Sequence, residues 1–181
     1  MALSPGTHKL GPDNASLKVN TYRDGVAAKI GHDLVLEVTK WEATVDVGAD
    51  GAPSSVTLSA DPGSFEVRSG RGGAKPLSDK DRTDIKQSIS GKVLGSSPIT
   101  FQSSAASADD SGHMHVEGEL AIAGTSKPTV FDVDAGANGA VEGTISLTQS
   151  DYGIKPYRAM MGALKVSDKV EIVLEAQLPP S

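Results

Sequence analysis

The sequence predicts an all-β protein, an antiparallel barrel or sandwich of at least about eight strands with one amphipathic helix. Apolar and polar residues alternate in many short segments, as strands with one buried face require. Turn-forming residues separate these segments about every ten residues, and the chain carries 20 glycines and 10 prolines. One stretch near the middle changes to a helical spacing. The 181 residues show no shift in composition, so we expect one domain.

The first part of the chain predicts a lead-in followed by five strands. Residues 1–14 contain two prolines and two glycines, which predicts a flexible N-terminal lead-in and a domain spanning residues 15–181. Gly31 predicts a bulge in the longest alternating run, and the parity shifts again before Trp41. Residues 69–75 predict a glycine-rich loop. The alternating segments are 17–21, 26–38, 41–47, 56–60 and 65–67.

The helix is predicted over residues 79–93. Ser78 or Asp79 can cap its N-terminus, and acidic residues occupy its first turn. Glycine and proline follow it and end the pattern. The apolar residues that recur at four-residue spacing are Ile85, Ile89 and Val93.

The second part predicts further strands around a central hairpin at residues 116–133. Gly118 lies in the middle of the apolar face of this hairpin, and residues 124–128 form its predicted turn. Residues 104–112 and 150–163 are predicted to be irregular segments. The apolar face carries Val116, Leu120 and Ile122 on one arm and Phe131 and Val133 on the other. The remaining strands are predicted at 99–103, 141–147 and 170–178.

Composition narrows the classes of function. The formal net charge of −6 disfavours nucleic acid as a partner, because such a partner requires a clustered basic surface. The chain has no cysteine and therefore no disulfide or thiolate chemistry. No run approaches the roughly 20 apolar residues of an integral membrane span. The N-terminus has no apolar core of a signal peptide, so we expect a cytoplasmic protein.

The hydrophobic residues are mostly aliphatic, since 38% of the chain is hydrophobic but only 4% is aromatic. An eight-stranded barrel is either packed solid or holds one small ligand. Small aliphatic side chains on the inner face favour an interior that is only partly filled. Composition alone leaves both alternatives open.

Four stretches in this order resemble the YceI-like family, the bacterial lipocalin-like proteins that bind polyisoprenoid lipids. The first is Gly-His-Asp-Leu at 31–34, and the second is Pro-Ile-Thr-Phe-Gln-Ser at 98–103. The third is the central hairpin with Gly-Thr-Ser-Lys-Pro at 124–128, and the fourth comprises 150–154 and 166–172. The likeness spans residues 15–178, nearly the whole domain.

The resemblance implies an extended antiparallel lipocalin-like β-barrel with a helix near its opening and a long hydrophobic channel for a lipid tail. The expected ligand is an amphiphilic lipid: a polyisoprenoid, an isoprenoid quinone or a fatty-acyl compound. Binding would serve carriage, storage or sequestration, with no enzymatic step, cofactor or metal. We expect a monomer or homodimer.

The candidate lipid-binding residues are those of apolar parity on each strand, which either form a plain core or line a lipid tunnel. His32 shares this parity and is either a core histidine or a polar contact to a head group. Tyr152 either gates the barrel mouth or pins its segment to the barrel. The apolar candidates are Ile30, Leu34, Leu36, Leu58, Phe65, Phe101, Leu120, Ile122, Phe131, Val133, Ile145, Leu147, Ile172 and Leu174.

Other chemistry has less support in the sequence. His113 and His115 share one strand face, but the neighbouring parity turns them to water and we expect no metal there. No nucleophile elbow or phosphate-binding loop occurs. The alternatives to lipid binding are a barrel enzyme with His32 as general base and a solid-core structural or stress-related module. Basic residues in irregular segments either attract a head group or are solvated charges, namely Arg68, Arg71, Lys75, Lys155 and Arg158.

Overall fold

The structure, a computed structural model, describes residues 3–180 and consists mainly of antiparallel strands. Met1, Ala2 and Ser181, at the ends of the predicted lead-in and domain, lie outside the described residues. One α-helix, α1, covers Asp79–Ser88. The strands are β1 (Gly6–Leu10), β2 (Ala15–Thr21), β3 (Arg23–Asp24), β4 (His32–Val38), β5 (Trp41–Val47), β6 (Pro53–Ala60), β7 (Phe65–Gly72), β8 (Ile99–Ala108), β9 (His113–Ile122), β10 (Thr125–Ala135), β11 (Ala140–Thr148), β12 (Arg158–Ala159), β13 (Leu164–Val166) and β14 (Lys169–Gln177).

Within residues 3–180, eleven strands pair in one sheet in the order β1-β5-β6-β8-β9-β10-β11-β14-β2-β4-β7. This antiparallel sheet curls into a half-barrel, which confirms the predicted fold class, with more strands than the eight that the simplest barrel needs. A second sheet of three short strands pairs in the order β12-β13-β3. No helix among the described residues is long and apolar enough to cross a membrane.

The prediction of a flexible lead-in is wrong for residues 6–10. These residues form β1, which pairs with β5 from Gly6 opposite Val47 to Leu10 opposite Ala43. Leu10 is buried, and Leu3 before the strand is 2% exposed. The glycines and prolines around this short strand hide it in the sequence, and only pairing with a strand some forty residues away makes it regular.

The predicted strand over residues 26–38 is also shorter than expected. The chain turns at Gly25, whose φ is +92°, and residues Ala28–Ile30 form a 3₁₀ turn. Val26 is 94% exposed and Ile30 is 44% exposed, so neither lies on a buried strand face. The bulge expected at Gly31 lies instead between Val35 and Leu36, opposite β7.

The central hairpin has a tighter turn than predicted. Ala123 and Gly124 both have positive φ, 51° and 78°, which is the combination that favours a two-residue hairpin connection. Residues 125–128 therefore belong to β10, where Pro128 lies opposite Glu119. On its other side β9 pairs with β8 as far as Ala108, so the loop predicted at 104–112 is mostly strand.

The helix begins as predicted at the Ser78 cap. The Ser78 Oγ accepts from the Asp81 N–H at 3.1 Å, and the Asp81 carboxylate accepts from the Ser78 N–H at 2.9 Å. The bond from the Ser78 N–H and a second one from the Ser78 hydroxyl, 2.8 Å from the Asp81 Oδ2, hold the pKa of the Asp81 carboxyl below its usual value. The last predicted turn is wider, a π-helical turn over Ile89–Val93. Arg82 on α1 donates to the Val67 carbonyl at 2.7 Å, so the helix packs beside the edge strand β7.

Candidate functional site

The concave side of the half-barrel encloses a cavity of about 690 Å³. This volume lies in the range of small-molecule sites, roughly 300–1,000 Å³. Side chains from all eleven strands of the large sheet line it, and one face of the helical segment adds Ile85, Ile89 and Val93. The period-two alternation therefore turns an apolar side chain into the cavity at every second strand position. A barrel packed solid is at odds with this cavity.

The structure brings fifteen of the sixteen candidate residues to the cavity wall. Fourteen of them lie on strands and converge because of their inward parity, whereas Ile30 reaches the wall from the 3₁₀ turn before β4. Whether they contact a ligand stays a prediction. The fifteen are Ile30, His32, Leu34, Leu36, Leu58, Phe65, Phe101, Leu120, Ile122, Phe131, Val133, Ile145, Leu147, Ile172 and Leu174.

Tyr152 is the exception, because it is buried but does not line the cavity. It lies in a 3₁₀ turn, Gln149–Tyr152, and its hydroxyl lies 3.0 Å from the Thr129 Oγ1 on β10. This contact fastens the turn to the sheet. Tyr152 therefore does not gate the cavity in this structure.

Sequence reasoning missed many lining residues. Trp41, Ala43 and Val45 carry the same alternation on β5 that identified the others and could have been included. Leu3 and Leu10 were missed because β1 was not recognised. The helix residues could not be assigned, because an amphipathic spacing gives a buried face without saying what that face covers.

The cavity opens at one place. The exposed lining residues are confined to three neighbouring segments, so the opening lies between the 3₁₀ turn after β3 and the loop that leads into α1. The helix thus lies at the opening, as the resemblance implied. The exposed lining residues are Ile30, Ala74, Lys75, Pro76, Asp81, Asp84 and Tyr157.

His32 holds one side of this opening. Its Nε2 lies 2.7 Å from the Lys75 carbonyl oxygen, which can only accept, so this nitrogen carries the proton. The loop packs tightly on the ring, since a Cβ at Gly73 would lie 2.3 Å from the same nitrogen. His32 therefore ties β4 to the loop before α1, and only Nδ1 retains a lone pair.

Few polar atoms interrupt the apolar wall. The Thr21 Oγ1 and the Trp41 Nε1 are buried without a hydrogen-bond partner among the described residues. Both residues line the cavity. Gln149 also lines it, and its Nε2 donates to the Ser167 carbonyl at 2.9 Å. The wall that a ligand would contact is therefore almost entirely apolar.

The two histidines of β9 lie on the outer face, away from the cavity. The His113 Nδ1 lies 2.8 Å from the Asp134 Oδ1, and this hydrogen bond raises the pKa of His113. The His115 Nδ1 lies 2.7 Å from the Asp132 Oδ1, with the same effect on the pKa of His115. Within the described chain, no group of three or more potential ligands is arranged for a metal ion.

The predicted basic residues do not converge into one site. Lys75 lines the opening, and Arg158 lies on β12 in the small sheet. Arg68 pairs instead with the Glu37 carboxylate on the neighbouring strand. Arg71 and Lys155 are exposed. These five described residues thus form no cluster that encloses a phosphate.

Comparison with known proteins agrees with this architecture. BcnA of Burkholderia cenocepacia superposes with a TM-score of 0.65 at 18% identity, over 89% of this chain and 94% of that chain. The YceI protein of Campylobacter jejuni gives 0.58 at 15% identity, over 81% and 84%. At such identities these structures show the fold alone. No curated protein matches the chain. The model of the YceI-like domain, however, matches residues 13–178, and the chain therefore belongs to the YceI-like family.

Proposed function

We propose that this protein binds an amphiphilic lipid inside its cavity and carries, stores or sequesters it without altering it. The ligand class is a polyisoprenoid, an isoprenoid quinone or a fatty-acyl compound. The observation that carries the proposal is the cavity of about 690 Å³, walled by apolar side chains and open at one end. Membership of the YceI-like family supports the same class of ligand.

The size of the cavity suits a long tail. A water-sized group occupies roughly 30 Å³, so 690 Å³ corresponds to about twenty groups of the size of a methylene. Each buried methylene contributes about 0.8 kcal/mol. Ten of them thus give about 8 kcal/mol, which is about micromolar affinity without any polar anchor. Tail length and shape, rather than a charged site, would set the specificity.

His32 has a positioning role at the opening that requires no turnover. Its Nε2 donates to the Lys75 carbonyl, a contact that organises the opening, so only its Nδ1 keeps the lone pair that a general base needs. We propose a non-enzymatic role, in which His32 shapes the entrance.

The test is native mass spectrometry of the protein purified without detergent, followed by organic extraction and lipid analysis. We expect one bound amphiphile with a long apolar tail. A second measurement uses the sole tryptophan, Trp41, which lines the cavity. Titration with a short-chain isoprenoid quinone should quench its fluorescence saturably. A protein that carries no lipid and shows no saturable quenching would refute the proposal, and recovery of a modified lipid would point to an enzyme.

A further inference from the structure

Exposed apolar side chains are concentrated beside the cavity opening. Within residues 3–180, seven large apolar side chains are exposed, and six of them lie in residues 22–31 and 154–166. Val26 is 94% exposed and Met161 is fully exposed. We call five of these residues the opening patch. They are Val26, Ile30, Tyr157, Met160 and Met161.

The two segments form one surface. Strand β3 pairs with β13, and the Ala27 N–H donates to the Ala163 carbonyl at 2.8 Å. A Cβ at Gly25 would lie 2.4 Å from the same carbonyl oxygen, so the two turns are in close contact. Ile30 and Tyr157 also line the cavity. The opening patch is therefore continuous with the cavity wall.

Met160 and Met161 are exposed, and their backbone conformation is energetically unfavourable. Met160 and Met161 both have positive φ, 53° and 58°, in the left-handed region that residues with a Cβ disfavour. Glycine would suit these positions better if the turn served only to connect β12 and β13. Strained backbone that displays flexible apolar side chains is a property of contact sites.

The two segments that carry the opening patch have a net charge opposite in sign to that of the whole protein. The two segments contain five basic residues and one acidic residue, in a chain of net charge −6. Arg23 pairs with Asp33, and Lys165 lies 3.9 Å from Asp24. In the described part of the chain the other three basic residues form no ion pair. These three are Lys29, Lys155 and Arg158.

We propose that the opening patch docks this protein onto the surface of an anionic lipid bilayer. The apolar side chains would enter the interface while the basic residues face the anionic head groups. A second copy docking through its own opening patch would present the same positive charge and be repelled. This proposal rests on the proposed function, because docking of the opening lets a lipid pass between bilayer and cavity without crossing water.

The test is flotation of the purified protein with vesicles of phosphatidylcholine, alone or mixed with phosphatidylglycerol. We expect flotation with the mixed vesicles only, and a decrease as salt rises. The double variants Val26→Asp with Met161→Asp, and Lys155→Glu with Arg158→Glu, should each reduce partitioning by about tenfold or more. The matched controls Val130→Asp, on the outer face of β10, and Lys9→Glu, on β1, should partition as the wild type does.

Native mass spectrometry of the same samples separates this proposal from the proposed function. Variants that lose flotation but keep their lipid would support docking as a distinct step. Wild-type protein that carries lipid yet stays with neither vesicle type would overturn docking and leave lipid binding intact. Sedimentation gives the last outcome. If the wild type is a dimer that does not bind vesicles, and a variant of the opening patch is a monomer, the patch is a protein interface and the docking proposal is overturned.

Discussion

Substitution by leucine should be tolerated at Gly143 on β11 but should destabilise the fold at Gly118 on β9, although both glycines face inward. At Gly118 a Cβ would lie 2.4 Å from the Gln102 carbonyl oxygen and 2.5 Å from the Phe101 Cζ. The Phe101 ring, packed edge-to-face on Phe131 at a centroid distance of 5.1 Å, fills the space over this glycine. At Gly143, which lines the cavity, the nearest atom to a Cβ is the Val133 Cγ2 at 3.1 Å. Side-chain adjustment can relieve that contact, whereas a backbone carbonyl cannot move away.

We therefore expect Gly143→Leu to fold and to lose ligand. Its stability should stay within about 1 kcal/mol of wild type, since removal of a strand glycine offsets the tight contact. The four added carbons would take the place of about four methylenes of ligand. At about 0.8 kcal/mol each, affinity should decrease by about 3 kcal/mol, which is more than a hundredfold.

Gly118→Leu should instead lower the free energy of unfolding by more than about 3 kcal/mol, because the side chain overlaps both backbone and ring. Urea unfolding followed by circular dichroism measures stability, and quinone titration measures affinity. Thr144→Leu places a leucine on the exposed face beside Gly143 and is the control. Unchanged affinity of a folded Gly143→Leu protein would refute the assignment of the cavity as the site, and a stable Gly118→Leu protein would refute the packing argument.

Three further predictions concern regions outside the cavity. Leu10→Ala should lower the free energy of unfolding by about 2–3 kcal/mol, because Leu10 on β1 is buried; a change near zero in urea unfolding would indicate that β1 does not pack as described. Met161→Gly should leave stability equal or raise it by up to about 1 kcal/mol, since the left-handed strain at Met161 is relieved, while vesicle flotation decreases; a clear loss of stability would argue against strain. Hydrogen bonds to carboxylates raise the pKa values of His113 and His115 above 6.5. The stabilisation that these hydrogen bonds give the folded protein is therefore complete below pH 6.5 and is lost as the pH rises through the raised pKa values. The difference in free energy of unfolding between the wild type and the double variant His113→Asn with His115→Asn should therefore decrease from pH 6 to 8. A difference that does not change with pH in denaturant titrations would contradict this linkage.

The alternation in the sequence was sufficient to predict the interior surface. A strand turns successive side chains to opposite faces whatever its partners are, so parity alone selected residues such as Leu34, Leu120 and Ile172. The helix was predictable for a similar reason, because the Ser78 cap and the apolar spacing act within a few residues. These predictions depend on local geometry.

Parity was misleading where the chain leaves the sheet. Val26 and Ile30 continue the alternation of β4 in the sequence, yet they lie in turns that β13 and its neighbours support. Residues 6–10 gave the opposite error, since an irregular-looking segment becomes a strand beside β5. In both cases pairing partners that are distant in sequence decided the outcome.

Local periodicity and the order of short motifs were enough to predict the fold class, the inward set of aliphatic residues and the likeness to the YceI-like family. The cavity and its opening between the turn after β3 and α1 depend on how distant strands pack together. The same packing puts the Phe101 ring over Gly118 and turns Gly143 to the cavity. It also brings the turn that carries Val26 into contact with the segment that carries Met161. Volumes, openings and surface patches arise where segments distant in the chain meet, and the sequence of one segment does not record its neighbours.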